Sequence, residues 1–134
     1  MEVMIDSNVI LDIVTEDPNW FNWSSETLAF YADTHTLIIN PIIYSEVSIG
    51  YQKMEDVDTV FLPSYFRRMP IPWEAAFYAG KSFLQYRKRG GTKRIPLPDF
   101  FIGAHADFLD IELITRDTAR FRTYFPELRL ITPA

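Results

Sequence analysis

Four acidic residues of the 134-residue chain stand where its local pattern changes: Asp6, Glu46, Asp99 and Asp117. Asp6 ends the apolar run Val3-Met4-Ile5. Glu46 lies one to two turns into a segment opened by Asn40-Pro41. Asp99 follows the proline-containing loop 90–98. Asp117 follows the apolar run Ile111–Thr115. Carboxylates brought together without a cation repel one another and are driven to take up protons. A divalent cation removes that conflict, and oxygen-only ligands favour Mg²⁺ or Mn²⁺. Such a cluster can orient a water nucleophile and stabilise charge on a phosphate, which is the chemistry of phosphodiester hydrolysis. Each acid also has a plainer use. Asp6 and Asp99 could cap the helices that follow them, Asp117 could serve a turn, and Glu46 could be one exposed helical position.

The elements that would position these acids can be read from spacing. Val3–Ile5 predicts a buried strand, and Asp6-Ser7-Asn8 a turn into a helix carrying Val9, Ile10, Ile13 and Val14. Asp17-Pro18 predicts the start of a second helix, rich in Trp20, Phe21, Trp23, Phe30 and Tyr31. Thr36–Ile39 predicts a strand, stopped by an Asn40 cap with Pro41 at the first helical position. Val57–Phe66 predicts a helix broken near Pro63, and Met69–Pro72 an edge strand. A helix over Trp73–Arg87 presents Ala76, Phe77, Gly80, Phe83 and Leu84 on one face. A helix over Asp99–Leu109, a strand over Ile111–Thr115, a helix over Thr118–Tyr124 and a strand over Leu128–Ile131 complete the order. Strands alternating with helices predict a parallel sheet covered on both faces. Ligands of such sheets sit at the carboxyl ends of the strands, so Asp6 and Asp117 are expected on that edge. The other acids, Asp12 among them, read as solvated charge.

Composition narrows the rest. Hydrophobic residues make up 48% of the chain, which excludes a disordered polymer, and the absence of cysteine excludes disulfides and thiolate zinc sites. Residues 1–134 read as one domain. No apolar run is long enough for a membrane helix and no basic signal region opens the chain, so a soluble cytoplasmic protein is expected. The net charge of −5 hides an asymmetry: residues 1–60 hold eleven acids and one base, Lys53, whereas no acid lies between Glu74 and Asp99. That gap holds Lys81, Arg87, Lys88, Arg89, Lys93 and Arg94. Entering directly before Asp99, Arg89, Lys93 and Arg94 are candidates to hold a phosphate backbone. The aromatic excess at 20–31, with Phe61, Tyr65 and Phe66, is either core or a partner surface. His105, six residues after Asp99, reads as a packing histidine.

Four blocks resemble the PIN-domain ribonucleases, and specifically the VapC toxins of toxin–antitoxin pairs. They are residues 4–12 (MIDSNVILD), 40–47 (NPIIYSEV), 97–106 (LPDFFIGAHA) and 113–126 (LITRDTARFRTYFP). The resemblance implies a PIN-like three-layer α/β/α sandwich with a central parallel sheet. It implies an acidic quartet of Asp6, Glu46, Asp99 and Asp117 holding Mg²⁺ or Mn²⁺, with Asp6 and Asp99 as the chief ligands. Ser7 or Asn8 would orient Asp6, and Thr115 would support Asp117. The implied activity is endonucleolytic cleavage of structured RNA such as transfer or ribosomal RNA. The implied partners are a second copy of the chain and a cognate antitoxin, which would supply an arginine to the acidic site. Two other readings stand beside it. A non-catalytic regulator would use the fold to bind an antitoxin, and operator DNA through it. A phosphatase of the haloacid dehalogenase type also begins with a strand and an Asp, but wants a second Asp where this chain has Asn8.

Overall fold

The computed structural model describes residues 1–90 and 95–133. Its centre is the run Val3, Met4, Ile5 of β1 (Glu2–Ile5), all inaccessible to solvent. Three consecutive buried residues cannot come from a strand with one wet face; they require helices on both sides. β2 (Thr36–Ile39) and β4 (Glu112–Ile114) flank β1, in parallel, with Val3 opposite both Leu37 and Glu112. β3 (Phe66–Arg68) and β5 (Leu130–Ile131) form the edges, giving the order β3-β2-β1-β4-β5. The five described strands are all parallel, and the α/β sandwich anticipated from the sequence is the architecture observed. The chain order reverses direction across the sheet between β1 and β4, and ligands of such sheets bind at that crevice.

Seven helices are described: α1 (Ser7–Val14), α2 (Phe21–Thr34), α3 (Pro41–Ser48), α4 (Met54–Val60), α5 (Trp73–Lys88), α6 (Leu97–Leu109) and α7 (Thr118–Tyr124). Asn40 caps α3 as expected, its side-chain oxygen accepting from the Ile43 N–H at 2.9 Å, with Pro41 beginning the helix. Several boundaries differ from the reading by spacing. The Asp17 carboxylate accepts from the Asn19 and Trp20 N–H groups and so makes a turn of its own, leaving α2 to begin at Phe21. The segment read as a helix over Val57–Phe66 divides, because the chain leaves α4 at Val60 to reach the sheet. The edge strand is Phe66–Arg68, three residues earlier than the prolines suggested. α6 begins at Leu97, with Pro98 in its first turn.

The buried face of α5 also differs. Ala75, Ala79, Ser82 and Tyr86 are buried, while Phe77 and Leu84 are exposed. Small residues allow α5 to approach α6 closely, and that contact outweighs the larger side chains. The aromatic residues divide as well. Phe61 is buried, Trp23, Tyr31 and Phe66 pack on the core, and Phe30 and Tyr65 are exposed. Arg67 and Arg68 on the edge strand pair with Glu2 and Asp58.

An aromatic seam ties α5, α6 and α7 together. The Phe100 ring lies 5.4 Å from those of Phe83 and Tyr124, and Tyr78 meets Phe125 edge-on at 5.4 Å. Gly103 makes this approach possible. A Cβ there would fall 2.5 Å from the Phe125 ring, which is itself buried and cannot retreat. Gly103→Ala is therefore expected to destabilise the protein by about 2 kcal/mol in urea unfolding, the usual cost of overpacking a filled core. A change below about 0.5 kcal/mol would mean that α7 can move aside.

Candidate active site

Three of the four singled-out acids begin helices without capping them. Asp6 precedes α1 and Asp117 precedes α7, and neither carboxylate makes a capping hydrogen bond to its helix. Asp99 lies inside the first turn of α6, behind Pro96. Asp6 and Asp99 turn instead toward Thr115 and Arg120 on other elements, and Asp117 toward Arg120 one turn along its own helix, so the plain capping role does not account for them.

Asp6 is 4% exposed at the carboxyl end of β1. The Thr115 hydroxyl, just past the end of β4, donates to its Oδ2 at 2.7 Å. The same hydroxyl oxygen accepts the Asp117 N–H at 3.1 Å. Thr115 thus fixes Asp6 and the turn bearing Asp117 together across the switch point. The resemblance implied that Ser7 or Asn8 would orient Asp6. Instead the Ser7 hydroxyl donates to Glu46 Oε1 at 2.8 Å, and Asn8 Nδ2 reaches Thr115 at 3.5 Å. Glu46 is thereby joined to α1 from α3.

Burial is the largest influence on the Asp6 carboxyl and pushes its pKa up to about 7. The Thr115 bond opposes this, and the charges of Asp99 and Glu46 add to it. Burial likewise pushes Asp99 up to about 6; Arg120 opposes the rise, and Glu46 and Asp117 add to it. The four acids therefore share one electrostatic neighbourhood.

Arg120 is not among the residues expected from the pattern of acids. From α7 its Nη1 donates to Asp99 Oδ2 at 2.6 Å, and its Nε meets Asp117 Oδ2 at 3.1 Å. The arginine that meets these acids in this structure comes from the chain itself. Its signal was the three-residue step from Asp117 along a helix, a spacing that brings opposite charges together. Asp12 was also misread. It is 2% exposed, and it receives Arg116 Nε and Nη2 at 2.8 and 3.0 Å and the Ser24 hydroxyl at 2.8 Å. Asp12 falls three residues after Val9, on the inward side of α1, and that position was its signal.

Of the basic candidates, Arg89 lies over the Tyr124 ring at 5.6 Å, at the end of α5. Lys93 and Arg94 lie outside the described residues. His105 is buried, with Nδ1 3.0 Å from Asn40 Nδ2, and so supports the turn into α3.

The donor set is oxygen only, and its members raise one another's proton affinity, which a hard divalent cation would relieve. In type the residues fit Mg²⁺ or Mn²⁺. Among the described residues no three such side chains stand as a ready-made metal cage.

The family model described as PIN domain matches residues 3–125. The chain belongs to the PIN-domain family. This PIN domain is also similar to solved structures of toxin–antitoxin complexes. VapBC2 of Rickettsia felis, bound to a DNA fragment from its promoter, gives a TM-score of 0.75 at 21% identity over 98% of both chains. VapBC-1 of nontypeable Haemophilus influenzae gives 0.73 at 20% identity over 98% of both chains. A toxin–antitoxin complex of Klebsiella pneumoniae gives 0.70 at 22% identity, again over 98% of both. At these identities the likeness establishes the fold of the PIN domain. No curated protein sequence matches the chain. Among the described residues, no helix of the PIN domain is long and apolar enough to cross a membrane.

Proposed function

We propose that this PIN domain is a VapC-like toxin: a metal-dependent endoribonuclease that hydrolyses phosphodiester bonds in structured RNA of the transfer or ribosomal class. One observation supports the reading: Asp6 and Asp99 are buried, and each is raised by the charge of Glu46, Asp6 also by that of Asp99 and Asp99 also by that of Asp117. Asp6, Glu46, Asp99 and Asp117 would hold Mg²⁺ or Mn²⁺, with Asp6 and Asp99 as chief ligands. The bound cation would supply Lewis acidity toward a phosphodiester and a site for an attacking water. The chain's own part is positional. Thr115 holds Asp6, Ser7 holds Glu46, and Asn8 steadies Thr115. In the metal-free protein burial raises the Asp6 carboxyl to about 7, so binding of the cation would release a proton from it. Arg89, with Lys93 and Arg94, would hold the RNA backbone without reading its sequence. An antitoxin partner and a homodimer belong to the same proposal, as does action as a single domain in the cytoplasm. The structural neighbours that are toxin–antitoxin complexes support the antitoxin.

The test is cleavage of transfer and ribosomal RNA by the antitoxin-free protein with Mg²⁺ or Mn²⁺, beside EDTA and the Asp99→Asn variant. Discrete cuts that vanish with EDTA and fall at least about 100-fold in the variant are expected, the scale on which losing a positioned electrostatic group slows catalysis. Cutting that survives both overturns the reading.

A further inference from the structure

The contact between Arg120 and two of the four acids has a consequence for metal binding. The Arg120 side chain is 35% exposed, so it can swing toward solvent, but it cannot neutralise itself by losing a proton. It takes Asp99 Oδ2 with Nη1 and Asp117 Oδ2 with Nε, spanning the first turns of α6 and α7. A divalent cation coordinated by those oxygens would stand a few ångströms from a fixed positive charge. A second observation points the same way. Asp6 and Glu46 are held from α1 and β4, while Asp99 and Asp117 are drawn to Arg120. No three carboxylates among the described residues are gathered as a metal requires. A cation taking Asp99 Oδ2 or Asp117 Oδ2 would have to displace an Arg120 N–H group from that oxygen.

We propose that Arg120 is a built-in counter-ion that competes with the divalent cation for Asp99 and Asp117, so that cation binding and the Arg120 contacts exclude each other. This rests on the proposed metal-dependent reading and names the residue that sets its metal affinity. The rival geometry keeps Arg120 on one oxygen of Asp99 while the metal takes the other. Arg120 would then be a positioning group whose loss weakens binding. The two differ in sign.

The experiment is calorimetric titration of the RNA-free protein with MnCl₂, comparing wild type with Arg120→Gln and Arg120→Lys. Groups next to metal ligands change affinity by about 10- to 100-fold, so Arg120→Gln is expected to bind Mn²⁺ about tenfold more tightly. Arg120→Lys, with one donor group in place of a fork, should fall between. Independently of any variant, the Arg120 Nε–H resonance of the wild type, assigned through the backbone, should shift saturably on titration with MgCl₂. Equal or weaker Mn²⁺ binding by Arg120→Gln overturns the competition and leaves the metal-dependent reading standing. So does an Nε–H resonance that stays put while Mg²⁺ saturates the protein. Absence of Mn²⁺ binding by wild type and variants alike overturns both.

Discussion

Asp6→Asn is expected to cut RNA cleavage about 10³-fold while making the metal-free protein more stable above neutral pH. The first effect follows from removing a chief ligand and its charge from the site. The second follows from linkage. In the folded state the Asp6 carboxyl is raised from 3.8 to about 7, so the native protein holds that proton more tightly than the unfolded chain. Stability from this group is present in full below about pH 4, and is lost as pH rises through 7. Asp99, raised to about 6, adds a loss of the same sign that is complete at lower pH. In EDTA, wild-type stability should therefore decline between about pH 4 and 7.5. Asp6→Asn should flatten that decline and gain about 2–3 kcal/mol at pH 8, given 1.36 kcal/mol per pKa unit and some loss to the rearranged Thr115 bond. Urea unfolding across pH measures it. Retained cleavage would remove Asp6 from the chemistry, and an unchanged pH slope would show that its carboxyl is not strained by burial.

Asp12→Ala should cost about 3 kcal/mol of stability, a large share of what a domain this size possesses. The side chain joins three parts of the fold: α1, which carries it; Ser24 of α2; and Arg116, between Thr115 and Asp117. Its loss strands a fully buried serine hydroxyl and an arginine that is 32% exposed and stacked over Trp20 at 5.5 Å. That partial exposure keeps the cost at the lower end for a broken buried pair. Part of the penalty should return in the Asp12→Ala, Arg116→Ala double variant, since the unpaired cation is then gone. Urea midpoints of the two variants decide it; a single-variant loss below about 1 kcal/mol would mean that the network contributes no net stability. Because Arg116 sits between two residues of the site, cleavage should fall as well.

The features legible in the sequence were those governed by local chemistry. Asp6-Ser7-Asn8 after Val3–Ile5, and Asn40-Pro41 after Leu37–Ile39, marked the ends of β1 and β2 because turn formers and prolines act within one turn. The acids at the strand ends could be placed on one edge for the same reason. Properties that depend on tertiary partners were not legible. Phe77 and Leu84 looked like the inner face of α5 until Ala75 and Ala79 proved to set its approach to α6. Asp12 looked solvated because its partner, Arg116, lies 104 residues away. Thr115 was expected to serve Asp117 alone, and its bond to Asp6 depends on β1 and β4 being neighbours, which spacing cannot state.

That last bond spans 109 residues. A growing chain therefore makes Asp6 and Glu46 early, yet carries no partner for β1 on its β4 side until residues near 114 have emerged. Neither Thr115 nor Asp117 exists before then. A chain ended before Thr115 would hold three of the four acids but lack the hydroxyl that ties Asp6 to the turn bearing Asp117. The frame of the candidate site is thus completed only by the last strands of the chain to be made.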